Sequence, residues 1–465
     1  MHTHEAGSLH ADAREPTGQL FTAPTDVNDL DGAVWSSNVT RSPAGVLTVA
    51  GVSAAELARE FGTPAYVVDE ADFRARCRVW RDAFPDADVY YAGKAFLTVS
   101  IARWVADEGL LLDVCTGGEL TLALRAGFDP SRIALHGNNK SVAEITAALD
   151  AGIGRIVVDS FVEIDRLAKL ANGRAAKPQV LVRTTVGVEA HTHEFIATAH
   201  EDQKFGFSLA GGDAKEAARR VLTSGSLELV GLHSHIGSQI FDTAAFEVSA
   251  HRVVALLREI RDDYGVVLPE LDLGGGLGVA YLGTDDPPEI AYVAAQLRAI
   301  VERECDAAKL AHPRLSVEPG RAICGPTTFT LYEVGTVKQV DVGTGVVRAY
   351  VSVDGGMSDN IRTALYDASY SCTLASRAST APPVLARVVG KHCESGDIVV
   401  RDTFLPADVT PGDLLAVPVT GAYCRSLASN YNHLGRPPVV AVRDGVARLI
   451  VRRETIDDLL RLDSE

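Results

Sequence analysis

The sequence contains no run of about 18 consecutive apolar residues, the stretch that a membrane-spanning helix needs. It has no basic surplus either. Acidic residues outnumber lysine plus arginine 61 to 44, and the formal net charge is −17. That balance argues against a nucleic-acid or anionic-membrane surface, so no nucleic acid and no membrane is expected as a partner. Cysteine is sparse and unpatterned. Seven thiols lie at 77, 115, 305, 324, 372, 393 and 424, an odd number with no Cys-x-x-Cys pair. This is not a disulfide framework and suits a reducing compartment. The start, MHTHEAGSLHADAREPTGQ, lacks the basic head and apolar core of a secretory signal. These absences together predict a cytoplasmic protein. A G-x-G-x-x-G fingerprint is missing too, which speaks against a Rossmann dinucleotide site. Residues 1–30 are polar and punctuated by glycine and proline, and are expected to be a poorly ordered extension.

What the chain does have is repetition. Eight β-branched runs follow one another: DVYYAGK, LLDVCTGG, RIALHGNN, RIVVDS, QVLVRTT, LELVGLHSH, ELDLGGG and RLSVEPG. Each ends in a small or polar residue and leads into a helical pattern. In AHRVVALLREIRDDYG, for example, Val253, Leu256, Leu257, Ile260 and Tyr264 fall on one helical face. Apolar strands alternating with helices mean a parallel sheet covered on both sides. Eight units predict a (β/α)8 barrel rather than an open doubly wound sheet, because the distinctive residues all follow strand ends, which a barrel gathers at one face. After about residue 330 the pattern changes to short strands separated by turns such as PGD and RDG, which predicts an all-β domain. The expected division is a polar extension over 1–30, a segment over 31–67 that contributes to the β domain, a barrel over 68–330 and the β domain over 331–465. GVLTVAGVSA, near residue 46, is expected to add a strand to that domain.

The predicted strand ends carry chemistry. They present Lys94, Asp113, His136, the pair His233 and His235, the run Gly274–Gly275–Gly276, and Glu318 followed by Gly320 and Arg321. Three glycines after a strand let bare backbone N–H groups approach an anion. Barrels often hold phosphate on the loops after strands seven and eight. A lysine at the mouth facing such a site suggests a Schiff base to pyridoxal 5'-phosphate (PLP). Glu318 can keep the ring nitrogen protonated, and His235 can stack on the ring. The competing reading is zinc on the His-x-His pairs 191/193 and 233/235, with His136 and Asp159 as further ligands. It leaves Lys94 and the glycine run without a task, and no metal is expected.

The motifs YAGKAF, DVCTGGEL, LHGNNKS, HSHIGSQI, LDLGGGLG, EPGR, MSDNIRTALY, CESGD and GAY occur here in the order found in one family. Over residues 60–440 the chain resembles the PLP-dependent diaminopimelate decarboxylases, within the ornithine/diaminopimelate/arginine decarboxylase group. The resemblance implies a PLP-binding, alanine-racemase-like (β/α)8 barrel followed by a β domain. It implies that Lys94 carries the cofactor, His235 stacks on it and Glu318 meets its nitrogen. It also implies that Ser238, Gly276, Gly320, Arg321 and Tyr423 contact the phosphate and cofactor. The family forms homodimers with shared active sites, in which CESGD reaches in from the partner. Two departures stand out. Phe96 follows the lysine motif where many relatives carry Asn, and the N-terminal extension is longer than the family requires. Residues 190–208 look like a family loop near the mouth, with a solvated polar loop as the alternative.

Substrate choice can be read from the distal end. Ornithine and lysine carry only an ammonium there, whereas diaminopimelate carries a carboxylate as well. A selective pocket needs an arginine for the carboxylate and an acid for the ammonium. Arg362 and Tyr366 in NIRTALY, Glu394 in CESGD, Arg321 and Tyr423 are the substrate candidates. Cys393 is the candidate proton donor, supplied by the partner subunit. The expected reaction converts meso-2,6-diaminopimelate to L-lysine and CO2, the last step of lysine biosynthesis. Another PLP enzyme of the same fold and a non-enzymatic regulator built on it are the rivals.

Overall fold

All eight apolar runs form strands. In this computed structural model the described residues are 22–187, 204–342 and 347–464. The His191/His193 pair, most of the 190–208 loop and the extension up to residue 21 lie outside them. The strands are β1 (Asp88–Ala92), β2 (Leu111–Val114), β3 (Ile133–Leu135), β4 (Arg155–Val158), β5 (Gln179–Thr185), β6 (Glu228–Ser234), β7 (Glu270–Asp272) and β8 (Arg314–Val317). Each pairs in parallel with the next, and β8 returns to β1 through Val317 opposite Val89, so the barrel is closed. A short extra strand, Phe207–Ser208, pairs with β5.

Local sequence sets the turn from strand to helix. Thr98, Thr116, Ser141 and Ser160 each cap the next helix by accepting a backbone N–H, and Ser141 forms a capping box with Glu144. Inside the barrel Val157, Leu181 and Val230 make an apolar cluster. Nearer the strands' C-terminal ends the layer is polar: Asp113, Arg183, His233, Asp272 and Glu318 are all buried. The helix Ala244–Tyr264 buries Val253, Leu256, Leu257 and Ile260 as predicted. Tyr264, placed on the same face, is instead 36% exposed. It is the last helical residue, and the chain turns away at left-handed Gly265.

The chain forms two compact units. The barrel unit comprises Arg74–Val279 and Asp286–Ile323; the other takes the chain up to Phe73, Ala280–Asp285 and the chain from Cys324 onward. The second unit is built on a mixed sheet. Thr328–Asp341 pairs antiparallel with both Val347–Val353 and Ala65–Asp69. Val347–Val353 runs parallel to Pro383–Val389, and Ala65–Asp69 parallel to Val439–Arg443. A strand from before the barrel thus sits mid-sheet. GVLTVAGVSA does not join this sheet. Leu47–Val49 forms a separate small sheet with Val39–Arg41 and Val52–Ser53, tied to the unit by Leu47 N donating to Ala375 O at 2.9 Å. The end of the expected extension is also held, against expectation. Asn28 Nδ2 donates to Ser379 O (2.8 Å), and Ser379 N donates back to Asn28 Oδ1 (2.9 Å). Among the described residues no helix is long and apolar enough to cross a membrane. All seven cysteines are free thiols.

Candidate active site

Lys94 sits in a 3₁₀ turn, Gly93–Ala95, directly after β1. Gly93 is needed there, because a Cβ would come within 2.9 Å of Asp113 O on the neighbouring strand. Phe96, the departure beside the lysine, is 1% exposed, and its carbonyl accepts from Tyr91 OH at 2.7 Å. A second lysine near a strand end, Lys140, is fully occupied. Its Nζ donates to Gly137 O, Val157 O and Glu163 Oε1 at 2.6–2.7 Å, a structural role.

Glu318 follows β8 and is 4% exposed. His233 Nε2 lies 3.1 Å and His136 Nε2 3.2 Å from its Oε1, and His136 Nε2 is 3.7 Å from Asp113 Oδ1. Burial alone would raise the Glu318 pKa; His136, His233 and Lys94 reverse that and hold it well below the usual carboxylate range. Burial, reinforced by Glu318, pushes the pKa values of Asp113 and Asp272 well up. Burial also pushes His136, His233 and His235 down, leaving neutral imidazoles. Asp159, drafted by the zinc reading, is engaged elsewhere. It accepts from Gly206 N (2.8 Å) and lies 3.9 Å from Arg183 Nε.

The glycine run is a place of close approach. A Cβ on Gly275 would come within 2.2 Å of Glu318 O, and one on Gly276, at φ +115, within 2.4 Å of Gly237 O. Gly275 N donates to His235 Nδ1 (3.2 Å), which places the proton of that ring on Nε2. Arg321 Nη2 donates to Ser238 Oγ (2.9 Å). Gly320 packs on β1, where a Cβ would lie 3.0 Å from the Cβ atoms of Ala92 and Ala95. These features fit PLP: a lysine at the mouth, bare backbone for a phosphate, and a buried carboxylate whose Oε1 lacks a well-aligned partner.

The second unit gathers the other candidates. Arg362 is 6% exposed, and its Nη1 donates to Tyr281 OH and Tyr370 OH, both at 2.7 Å. Its guanidinium carbon lies 5.0–6.0 Å from the ring centres of Tyr281, Tyr366, Tyr370 and Tyr423. Burial disfavours the charge, but Tyr370 and Tyr281 outweigh it and keep the group cationic. Arg362 Nε is buried without a hydrogen-bond partner. Tyr423 holds φ +70, a left-handed conformation rare for a bulky residue and common at functional sites. Cys393 and Glu394 are exposed on a fixed turn. Asp397 accepts from Met357 N (2.6 Å) and His392 N (2.8 Å), and His392 Nε2 meets Ser358 Oγ at 2.8 Å. The turn is thus bound to the loop that leads into Arg362. Sequence reasoning missed Tyr281 and Tyr370. Tyr281 is 81 positions from Arg362, and neither tyrosine carries a local signal.

The profile of the pyridoxal-dependent decarboxylase family, pyridoxal binding domain, matches residues 70–325. The chain is 62% identical to diaminopimelate decarboxylase of Mycobacterium tuberculosis over 92% of its own length and 97% of that protein. It is 58% identical to the Mycobacterium leprae enzyme of that name over the whole of both chains. Among solved structures it resembles diaminopimelate decarboxylase from M. jannaschii in complex with L-lysine (TM-score 0.85, 31% identity, 92% of this chain and 98% of that one). It also resembles the Helicobacter pylori enzyme complexed with L-lysine (TM-score 0.80, 30% identity, 88% and 98%). With the lysine, the glycine cradle and the buried glutamate at the barrel mouth, this chain belongs to the diaminopimelate decarboxylases, a family of PLP-dependent enzymes.

Proposed function

We propose that the enzyme converts meso-2,6-diaminopimelate to L-lysine and CO2 as the last step of lysine biosynthesis. The observation that carries the substrate is Arg362: a buried guanidinium, clamped on one nitrogen by two phenols, with Nε unpartnered. Such a group suits a carboxylate at the substrate's distal end. The names of the relatives and the L-lysine bound in two similar structures support the same choice.

In this reading Lys94 would hold PLP through its amine, His235 would flank the cofactor, and Glu318 would keep its ring nitrogen protonated. Ser238, Gly276, Gly320, Arg321 and Tyr423 hold its phosphate and flank. When bound, PLP supplies the electron sink that accepts the pair left by CO2. Arg362, Tyr366, Tyr423 and Arg321 orient the distal carboxylate, and Glu394 the distal ammonium, so that the D-configured centre meets the cofactor. Cys393 would be the acid that supplies a proton to the former α-carbon. Cys393 and Glu394 stand exposed on a braced turn, which suits groups offered to a partner subunit; the enzyme is read as a homodimer with shared sites. Seven free thiols suit the cytoplasm. The test is product analysis after separate incubation with meso-diaminopimelate, ornithine, lysine and arginine. L-lysine from the first, with little turnover of the others, is expected. A preference for ornithine or arginine refutes the assignment.

A further inference from the structure

The barrel mouth buries more acid than base. Asp113, Asp159, Asp272 and Glu318 are 1%, 5%, 2% and 4% exposed. Lys94 and Arg183 are cations whose charge they feel, and Arg321, 5% exposed, follows Glu318 at the same end. Half-buried Glu119, which accepts from Cys115 N at 2.6 Å, lies at the same end. Charge on every carboxylate of so dry a layer is costly, so hydrogen-bond donors decide which of them keep it. Asp159 has Gly206 N and Arg183. Asp272 accepts from Gly274 N at 2.7 Å and shares a side-chain hydrogen bond with Glu318 that raises its own pKa. Asp113 Oδ2 has no partner. Glu318 alone has two imidazoles turned to a single oxygen.

We propose that His136 and His233 are positioning residues that select Glu318 as the charged member of this acid cluster, each presenting a neutral Nε2–H to Oε1. The proposal rests on the reading of Glu318 as the partner of the PLP ring nitrogen. An ionised Glu318 keeps that nitrogen protonated, whereas a protonated one has no charge to offer it. The rings of His136 and His233 pack edge to face, 5.1 Å apart at 68°, which brings both Nε2 atoms to one point. His235, on the same strand end, is committed differently, because its Nδ1 accepts from Gly275 N. The two Nε2 contacts are at bonding distance but imperfectly aligned, and catalytic hydrogen bonds of this kind commonly reach full alignment only with the reacting groups in place.

The test replaces each histidine by Leu, which removes the donor, and by Gln, whose amide N–H reaches about as far as Nε2. Full-length enzyme is stripped of PLP and titrated with it. The dissociation constant, the visible band across pH, kcat and KM are recorded. Each Leu variant is expected to bind PLP and turn over roughly tenfold to a hundredfold less well, the worth of a hydrogen bond to a charged group. Its band should shift with pH where the wild type is constant, with KM for diaminopimelate little changed, and Gln should restore most of the loss. Should a Leu variant not fold, His→Asn, polar but too short to reach Oε1, takes its place. Glu318→Gln separates the two claims. If it leaves PLP binding, spectrum and turnover intact, the reading of Glu318 fails. If it damages them while the Leu variants match wild type, that reading stands and the histidine assignment is overturned. The assignment also falls if purified enzyme carries a stoichiometric divalent metal on these three side chains, whose ligand atoms lie within 4.8 Å of one another.

Discussion

Arg362 pairs a strong charge with deep burial, which is costly unless every donor finds an acceptor. Two phenols hold one nitrogen and Nε is left over. Arg362→Ala is expected to raise KM for diaminopimelate by on the order of 2–3 kcal/mol of binding, the value of one charged hydrogen-bonded contact. Tyr370→Phe should give a smaller rise with kcat nearly unchanged, because it loosens the arginine without removing it. Steady-state kinetics against a substrate that lacks the distal carboxylate provide the check: equal losses on both substrates would show that Arg362 does not read that group. Cys393 differs in kind, being exposed rather than clamped. Cys393→Ala should lower kcat by roughly 10²–10⁴, the usual worth of a positioned acid. Wild-type speed would make the thiol structural.

At the level of elements, the strand-to-helix turns do two jobs. They place polar residues at the barrel mouth and start each helix with a cap. Glu144 serves both the capping box of its own helix, through Ser141, and the start of the preceding one, by accepting from Gly117 N at 2.8 Å. Ser141→Ala should therefore cost about 1 kcal/mol of stability, the normal value of an N-cap, measured by denaturant unfolding. PLP binding should be unaffected, since Lys94 and Glu318 stand on other strands. The glycine run tolerates less. Gly275 and Gly276 already touch neighbouring carbonyls at distances no side chain fits, so the strand and the anion cradle share one constraint.

On the scale of the whole molecule, two properties can be tested. Asp359 is fully buried beneath the Arg362 loop, bonded to Tyr332 OH and Gly356 N, yet burial pushes its pKa up to about 7. Its folded pKa exceeds the unfolded value, so its contribution to stability is complete below the ordinary aspartate range and is lost as pH rises through about 7. Asp359→Asn removes that dependence. Relative to wild type, the Tm of the variant should improve steadily from about pH 4 to about pH 8; a constant difference would refute the shift. The proposed shared site makes a second prediction. Inactive Lys94→Ala mixed with inactive Cys393→Ala should regain activity, because one site in each mixed dimer is intact. No rescue despite proven subunit exchange would place the proton donor in the same chain as Lys94.

The sequence by itself determined the barrel, its eight strands and the residues at its mouth. Those signals are local: β-branched runs, helical spacing, and a lysine, glycine run or glutamate fixed to the end of its own strand. It also singled out Arg362 and the CESGD turn through their motifs. Only the tertiary structure decided what surrounds them. Tyr281 reaches Arg362 from a segment that leaves the barrel and joins the second unit, and Tyr370 lies beyond the motif. His136 and His233 converge on Glu318 because barrel closure brings distant strand ends to one layer. GVLTVAGVSA pairs within its own small sheet although its pattern fits any edge strand, and Asn28 is held by Ser379 although its neighbourhood reads as an unstructured tail. Periodicity records which face of an element is apolar; it does not record which distant donor meets which acceptor, and in this enzyme those meetings set the charge of Glu318 and the open edge of Arg362.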